Sequence, residues 1–271
     1  MSGPYAEVIG DPVEHSLSPL IHSFWLTALG IDASYGRRRV TRAELPGYLA
    51  EKRADPDWRG ANVTMPLKLD AVARADEASD RAVAAGAANL LTIREGRLAA
   101  ANTDVGAIVA LLARLHEAKS RMGSITLLGN GGAARAALVA LKLVGITNVR
   151  IQARDLAEAV KLAVEFGLET EPVLFTAPIV SDGLINATPL GMPGQACLNC
   201  DLHRMPAGGW VFDMVYHSGD TPLLEAARAA GLQSVSGLEM LVEQAAASFD
   251  LLFGRKPPRD RDAELWQLLR Q

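Results

Sequence analysis

Three groups of residues in this chain have types and spacings that suit chemistry. The first is a polar constellation near the N-terminus: Ser16 and Ser18 around Leu17, Asn62 and Thr64, Lys68 just after Pro66, Asn89, and Asn102-Thr103-Asp104. Asn62 and Thr64 alternate along an apparent strand, so their side chains project from one face. Each also has a purely structural reading. Ser18 suits an N-cap with Pro19 at the first helical position, Asp104 suits a helix cap, Asn62 and Thr64 suit edge or turn polar groups, and Lys68 suits a solvated surface.

The second group is Gly129-Asn130-Gly131-Gly132-Ala133-Ala134. It follows an apolar strand and opens a helix, with Gly129, Gly131 and Ala134 in the spacing G-x-G-x-x-A. Gly129 permits the tight turn, Gly131 lets backbone approach a pyrophosphate, and Ala134 packs closely on the strand. The helix N-terminus offers free N–H groups and the positive end of a dipole to phosphate. At the end of the next strand stands Gln152-Ala153-Arg154-Asp155. An Arg there favours the 2′-phosphate of NADP, an Asp favours the 2′-hydroxyl of NAD, and Glu158 adds negative charge. Spacing leaves both cofactors open.

The third group is Cys197 and Cys200, a C-x-x-C in a Gly/Pro-rich stretch and the only cysteines in the chain. A zinc site needs two further ligands and only His203 is nearby; a redox pair would normally open a helix. They read as ordinary loop cysteines, with no metal site expected.

The elements that must position these groups follow from periodicity. Strands are expected over Tyr5–Gly10, Ala33–Val40, Gly60–Thr64, Asn89–Arg94, Ile125–Leu128, Val149–Ala153, Leu184–Ala187 and Trp210–Met214. Helices are expected over Ser18–Leu29, Thr41–Arg53, Asp76–Ala88, Val105–Leu115, Ala133–Val144 and Leu238–Phe253, with a short final helix after Pro257-Pro258. The alternation argues for an α/β fold with a parallel sheet and crossover helices. The polar stretch Lys119–Ser124 is the candidate linker.

Length and composition bound the rest. The 271 residues allow one large domain or two modest ones, and 49% apolar with 21% charged residues excludes a disordered or low-complexity chain. A net charge of −4 gives no basic field for a nucleic-acid backbone. No apolar run is long enough to span a membrane, and no signal peptide is expected at the N-terminus. A reduced, cytoplasmic protein is the expectation.

Taken together, the motifs resemble the shikimate dehydrogenase family. In order they are Gly10-Asp11-Pro12-Val13-Glu14-His15-Ser16-Leu17-Ser18-Pro19, Asn62-Val63-Thr64-Met65-Pro66-Leu67-Lys68, Asn102-Thr103-Asp104, the glycine loop with Arg135, and Asn186-Ala187-Thr188. Asp213-Met214-Val215-Tyr216 with Thr221-Pro222-Leu223-Leu224, and Gly237 to Ala246, complete the set, so the likeness runs from Gly10 to about Gly254. The resemblance implies two lobes: an N-terminal α/β substrate-binding and catalytic domain (1–104 plus 238–271) and a Rossmann-type dinucleotide-binding domain (105–237). It implies reversible reduction of 3-dehydroshikimate to shikimate by NADPH, by a monomer or homodimer whose partners are small molecules, neither nucleic acid nor membrane.

By motif match, Lys68 is the general acid in reduction and Asp104 orients it and bonds the adjacent hydroxyl. Ser16 and Ser18 hold the substrate carboxylate, aided by Tyr216, while Asn62, Thr64, Asn89 and Gln244 contact hydroxyls or nearby polar groups. Gly129, Asn130, Gly131, Gly132, Ala133, Arg154, Asp155 and Gly237 belong with the cofactor, and Thr188 and Met214 line the nicotinamide. The Ser-x-Ser pair resembles shikimate-selective members. The chain departs from the family at Ala87-Ala88-Asn89-Leu90, where Asn-Thr is frequent, and at His22-Ser23, where His-Asn is frequent. The NADP clamp Asn-Arg-Thr is here Ala153-Arg154-Asp155, with Glu158 at its second basic position. NADP use is therefore expected with its preference over NAD reduced or reversed. Two other enzymes and one non-enzyme compete: a broad NAD-dependent quinate/shikimate dehydrogenase, a folate-linked dehydrogenase, and a non-catalytic ligand-binding regulator. Ser16/Ser18 argue against the folate-linked enzyme and Lys68 with Asp104 against the regulator.

Overall fold

The computed structural model describes residues 3–216 and 219–270. Along the chain the elements are β1 (Tyr5–Gly10), α1 (Ser18–Leu29), β2 (Ser34–Arg39), α2 (Leu45–Arg53), β3 (Trp58–Val63), α3 (Lys68–Arg74), β4 (Glu77–Ala78), α4 (Asp80–Ala85), β5 (Leu90–Arg94), β6 (Arg97–Ala101) and α5 (Thr103–Glu117). They continue with β7 (Ile125–Leu128), α6 (Gly132–Leu143), β8 (Val149–Ala153), α7 (Leu156–Phe166), β9 (Val173–Leu174), β10 (Gly183–Asn186), β11 (Trp210–Asp213), α8 (Pro222–Ala229), β12 (Gln233–Ser236), α9 (Gly237–Phe253) and α10 (Asp262–Leu269). Two compact units result, Met1–Thr103 with Leu241–Gln271 and Asp104–Met240, so the boundaries fall inside α5 and α9.

The first unit holds a mixed sheet in the order β2-β1-β3-β5-β6-β4. Strands β1, β2 and β3 run parallel, whereas β5 is antiparallel to β3 and to β6. Its core gathers Trp58, Tyr48, Leu45, Leu91 and Leu98 beneath the sheet's apolar face. The second unit holds an all-parallel sheet in the order β12-β11-β10-β7-β8-β9. Counted from its own first strand, that order is the doubly wound one, with the reversal between β7 and β10.

Several expectations need correction. The run Asp76–Ala88 is not one helix. The Asp76 carboxylate accepts from the Leu98 amide at 2.7 Å and Ser79 caps α4, which leaves only Asp80–Ala85 helical. The helix expected from Thr41 starts at Leu45, because the Thr41 amide and hydroxyl both donate to Glu44 at 2.8 Å and hold a turn there. The stretch Lys119–Ser124 is no linker: Asp182 accepts from Arg121 at 2.7 Å, from the Gly123 amide at 2.9 Å and from the Ser124 amide at 3.1 Å. Strand β6 was not expected, nor was the two-residue turn before it, where Glu95 and Gly96 both take positive φ.

Candidate active site

In the first unit, strand direction alone collects the polar constellation. The chain leaves β1 towards Ser16 and Ser18 and leaves the parallel β3 towards Thr64 and Lys68, at the same end of the sheet. Antiparallel β5 begins at that end, just after Asn89, and β6 finishes there, just before Asn102 and Thr103. Gly10 makes the loops close. A side chain there would put Cβ 2.7 Å from the Met65 carbonyl oxygen and still closer to the Thr64 methyl. The Asp11 amide donates to the same Met65 carbonyl at 2.8 Å.

Ser18 is buried and Ser16 half-buried. Ser18 is not the N-cap expected of it: that place falls to Leu17, and the Ser16 hydroxyl accepts from the Ser18 amide at 3.3 Å. Thr64 is half-buried in the turn after β3, and Lys68 opens α3 with its backbone carbonyl bonded to the Ala88 amide at 2.8 Å.

Asn62, Asn89, Thr103 and Gln244 form a buried hydrogen-bonded group. Asn89 Oδ1 accepts from the Thr103 amide at 2.7 Å. That contact fixes the amide, since a backbone N–H can only donate, and so aims Asn89 Nδ2 at Thr103 Oγ1 (2.8 Å) and Gln244 Oε1 (3.2 Å). Gln244 Nε2 donates to the Leu241 carbonyl at 2.9 Å, which agrees with that orientation. Asn62 is spent inside the protein on three partners. Its oxygen accepts from Tyr35 at 2.7 Å, and its Nδ2 donates to Ser248 at 2.9 Å and to the Asn89 carbonyl at 3.4 Å. Sequence reading placed Asn62, Asn89 and Gln244 together but missed Tyr35 and Ser248.

Beside this group lies His22, fully buried and stacked on the Tyr35 ring at 4.0 Å with 4° between planes. Burial pushes its pKa down to about 3, so it is neutral at any working pH.

In the second unit the parallel strands all end at one side. Gly129 follows β7, Arg154 and Asp155 follow β8, Thr188 follows β10, and Met214 and Tyr216 follow β11, while Gly237 follows β12. Gly129 has φ +101° and its Cβ position lies 3.1 Å from the Ala187 carbonyl oxygen, so the β7 and β10 loops approach as only glycine permits. Gly131, the N-cap of α6, opens on free space. The first turn of α6, including Gly132 and Ala133, carries no acidic residue and no side-chain cap, and Asn130 is exposed beside it. The donor-rich helix end thus meets the requirements of a diphosphate cradle.

Asn186 organises the neighbouring loop. It accepts from the Thr188 hydroxyl at 2.7 Å and donates to Asp213 at 2.8 Å, and Asp213 in turn accepts from Thr221 at 2.5 Å. The Met214 amide donates to the Asn186 carbonyl at 3.0 Å. Gly237 has its own packing reason, since a Cβ there would fall 2.4 Å from the Met214 carbonyl oxygen. At the end of β8, Arg154 is exposed and Asp155 caps α7 by accepting from the Glu158 amide at 3.1 Å. Glu158 is paired with Lys161 at 2.5 Å. Asp104 is buried in the first turn of α5, one residue inside the helix rather than at its cap.

Comparison with known proteins decides what this arrangement belongs to. A relative from Sphingopyxis alaskensis, named shikimate dehydrogenase (NADP(+)), is 44% identical over 99% of this chain and 97% of its own. The chain belongs to the shikimate dehydrogenase family. The family's substrate binding domain matches residues 8–91 and its C-terminal domain residues 237–264. The fold agrees with a shikimate 5-dehydrogenase of Thermus thermophilus in complex with NADP(H) and shikimate. That structure gives a TM-score of 0.85 at 35% identity, covering 98% of this chain and 99% of the other. A shikimate 5-dehydrogenase of Listeria monocytogenes in complex with shikimate and NAD gives 0.80 at 28% identity, with 97% and 96% covered.

The cysteine pair lies in the loop between β10 and β11. Cys197 is exposed and Cys200 half-buried, both as free thiols, and burial pushes Cys200 up to about 11. Among the described residues no three His, Cys, Asp or Glu side chains gather as metal ligands, and no helix is long and apolar enough to cross a membrane.

Proposed function

We propose that this chain interconverts 3-dehydroshikimate and shikimate with NADP as its redox partner. The observation that carries the reading is the convergence of Ser16, Ser18, Thr64, Lys68, Asn89 and Gln244 at one end of the first sheet. That set offers hydroxyls, amides and one cation, which suits a small polyol carboxylate. Its buried amides are already fixed in direction, so an analogue lacking a hydroxyl leaves a paired group unsatisfied and is rejected. The first unit takes the substrate and the second takes the cofactor.

The glycine loop and the N-terminus of α6 hold the cofactor diphosphate, Arg154 its 2′-phosphate, and Thr188 and Met214 its nicotinamide end. The reduced nicotinamide, when bound, supplies a hydride to the ketone carbon. Lys68 donates a proton to the ketone oxygen as negative charge develops there, and takes it back in the oxidation of shikimate. Asp104 orients the Lys68 ammonium and accepts a hydrogen bond from the neighbouring hydroxyl. Ser16 and Ser18, with Tyr216, hold the carboxylate.

A second reading, use of NAD as well, is favoured by one specific feature. The Asp155 carboxylate caps α7 and has no cation bonded to it among the contacts described, so its charge weighs against a phosphate at that corner. Turnover of shikimate and quinate, each with NADP and with NAD, tests both readings. Shikimate with NADP is expected to be used, with NAD within a hundredfold. Absence of shikimate oxidation with either cofactor refutes the activity. Retention of the rate within a few fold by Lys68→Ala refutes the assigned mechanism.

A further inference from the structure

The buried polar group of the first unit contains a member that no motif points to. Ser248 lies in α9, one turn after Gln244 and on the same face, and its side chain is wholly buried. A serine inside a helix usually bonds the carbonyl four residues back. Here its hydroxyl instead accepts from Asn62 Nδ2 at 2.9 Å and lies 3.1 Å from Thr103 Oγ1.

Two backbone groups fix the direction of the amide bonds around it. The Asn89 carbonyl can only accept, so the Asn62 group facing it is the NH2, and the second hydrogen of that NH2 goes to Ser248. Ser248 Oγ therefore accepts from Asn62, and it shares a hydrogen bond with Thr103 Oγ1 at 3.1 Å in which either hydroxyl can donate. On the other side the Thr103 amide fixes Asn89, whose Nδ2 donates to Thr103 Oγ1 and Gln244 Oε1. The Thr103 hydroxyl also lies 3.2 Å from Asn89 Oδ1 and 3.4 Å from Gln244 Oε1, either of which can accept from it. At the far end Tyr35 donates to Asn62 Oδ1 at 2.7 Å, its ring stacked on His22.

We infer that Ser248 is a positioning residue for substrate recognition: it joins the Asn62–Tyr35 half of the buried relay to the Thr103–Asn89–Gln244 half and so fixes which edge of each amide faces the substrate. This rests on the proposal that Asn89 and Gln244 meet the hydroxyls of shikimate. Ser248 itself touches no substrate. Its removal leaves one hydrogen of the Asn62 NH2 without its acceptor and takes from Thr103 one of its hydroxyl partners, which loosens the shared orientation of Gln244 and Asn89.

Two readouts on the ligand-free and the turning-over enzyme test this. In Ser248→Ala, exchange of the Asn62 side-chain NH2 protons, followed by NMR without ligand, should accelerate at least about tenfold. The KM for shikimate should rise about tenfold, the loss expected when a buried hydrogen-bonded group goes unpaired. The kcat and the KM for NADP should change less than about threefold, because the relay sets binding rather than the chemical step. Tyr35→Phe, which removes only the hydroxyl at the other end, should shift the same two quantities in the same direction, and it decides the matter should Ser248→Ala not fold. Unchanged amide exchange overturns the relay, and an unchanged shikimate KM, or a loss confined to kcat, overturns its role in recognition. Accelerated exchange in the variants together with a parent that does not oxidise shikimate leaves the relay standing and refutes the proposed activity instead.

Discussion

The orientation assigned to Asn89 can be tested by changing one atom. In Asn89→Asp, Oδ1 still accepts from the Thr103 amide, 2.7 Å away, but an oxygen replaces Nδ2 opposite Thr103 Oγ1 at 2.8 Å and Gln244 Oε1 at 3.2 Å. Two of those oxygens face each other with no proton between them unless the new carboxyl carries one. Position 89 is 3% exposed, so water cannot screen the contact. Both effects favour the protonated acid and raise its folded-state pKa above the unfolded value near 3.9. A rise of about 2 units corresponds to about 2.7 kcal/mol. Because the folded pKa is the higher, the variant comes closest to the parent below about pH 4 and falls behind as pH rises through about 6. Thermal unfolding of both proteins from pH 4 to 8 measures this. The gap in Tm should widen by roughly 5–10 °C over that range, at about 2–4 °C per kcal/mol for a chain of this size. A gap independent of pH, or one that narrows as pH rises, refutes the orientation assigned to Asn89.

Four further outcomes follow from contacts in the same units. Lys52, almost fully buried, lies 2.6 Å from the Tyr5 hydroxyl and 3.7 Å from Glu7, so Lys52→Met should cost about 3–5 kcal/mol in urea unfolding, part of it recovered by adding Glu7→Gln; a loss below about 1 kcal/mol would contradict the burial argument. Gly129→Ala places a Cβ at φ +101° and 3.1 Å from a carbonyl oxygen, and should cost about 1–3 kcal/mol while raising the KM for NADP, both read against the parent. Asp155→Ser keeps a good N-cap for α7 but removes its charge, so the ratio of kcat/KM for NADP over NAD should rise about tenfold without loss of Tm. Glu158→Gln should shift that ratio less, because Lys161 already pairs with Glu158 at 2.5 Å.

Legibility in the sequence followed range. The β7–α6–β8 unit and its glycines were readable because periodicity, turn and helix start are all local, and α9 was readable from its apolar stripe. The β5–β6 hairpin was not, since its turn is Glu95-Gly96 rather than a pair that ordinarily announces positive φ. The run Asp76–Ala88 reads as helix by its alanines, yet the Asp76 carboxylate spends itself on β6 and stops it. Within the candidate site, Lys68, Asp104 and Asn89 are proposed from motifs. Tyr35 and Ser248 carry no such signal: an isolated Tyr in a strand and a small residue in a helix look like packing. Their roles arise from bonds across 27 and 186 positions, which no window along the chain can see.

The division of the first unit between the two ends of the chain sets a timetable for its making. When the first 103 residues have left the ribosome, the strands of the mixed sheet are present but Gln244, Ser248 and Phe249 are not. The whole doubly wound unit, residues 104–240, is synthesised in between. At roughly 5–20 residues per second that interval lasts on the order of 7–27 seconds. Through it, the hydrogens that Asn62 gives to Ser248 and Asn89 to Gln244 go to water, and the Trp25 and His22 rings lack the Phe249 they pack against. The nascent first unit is therefore an open sheet that matures only once residues 241–253 have followed the whole of the second.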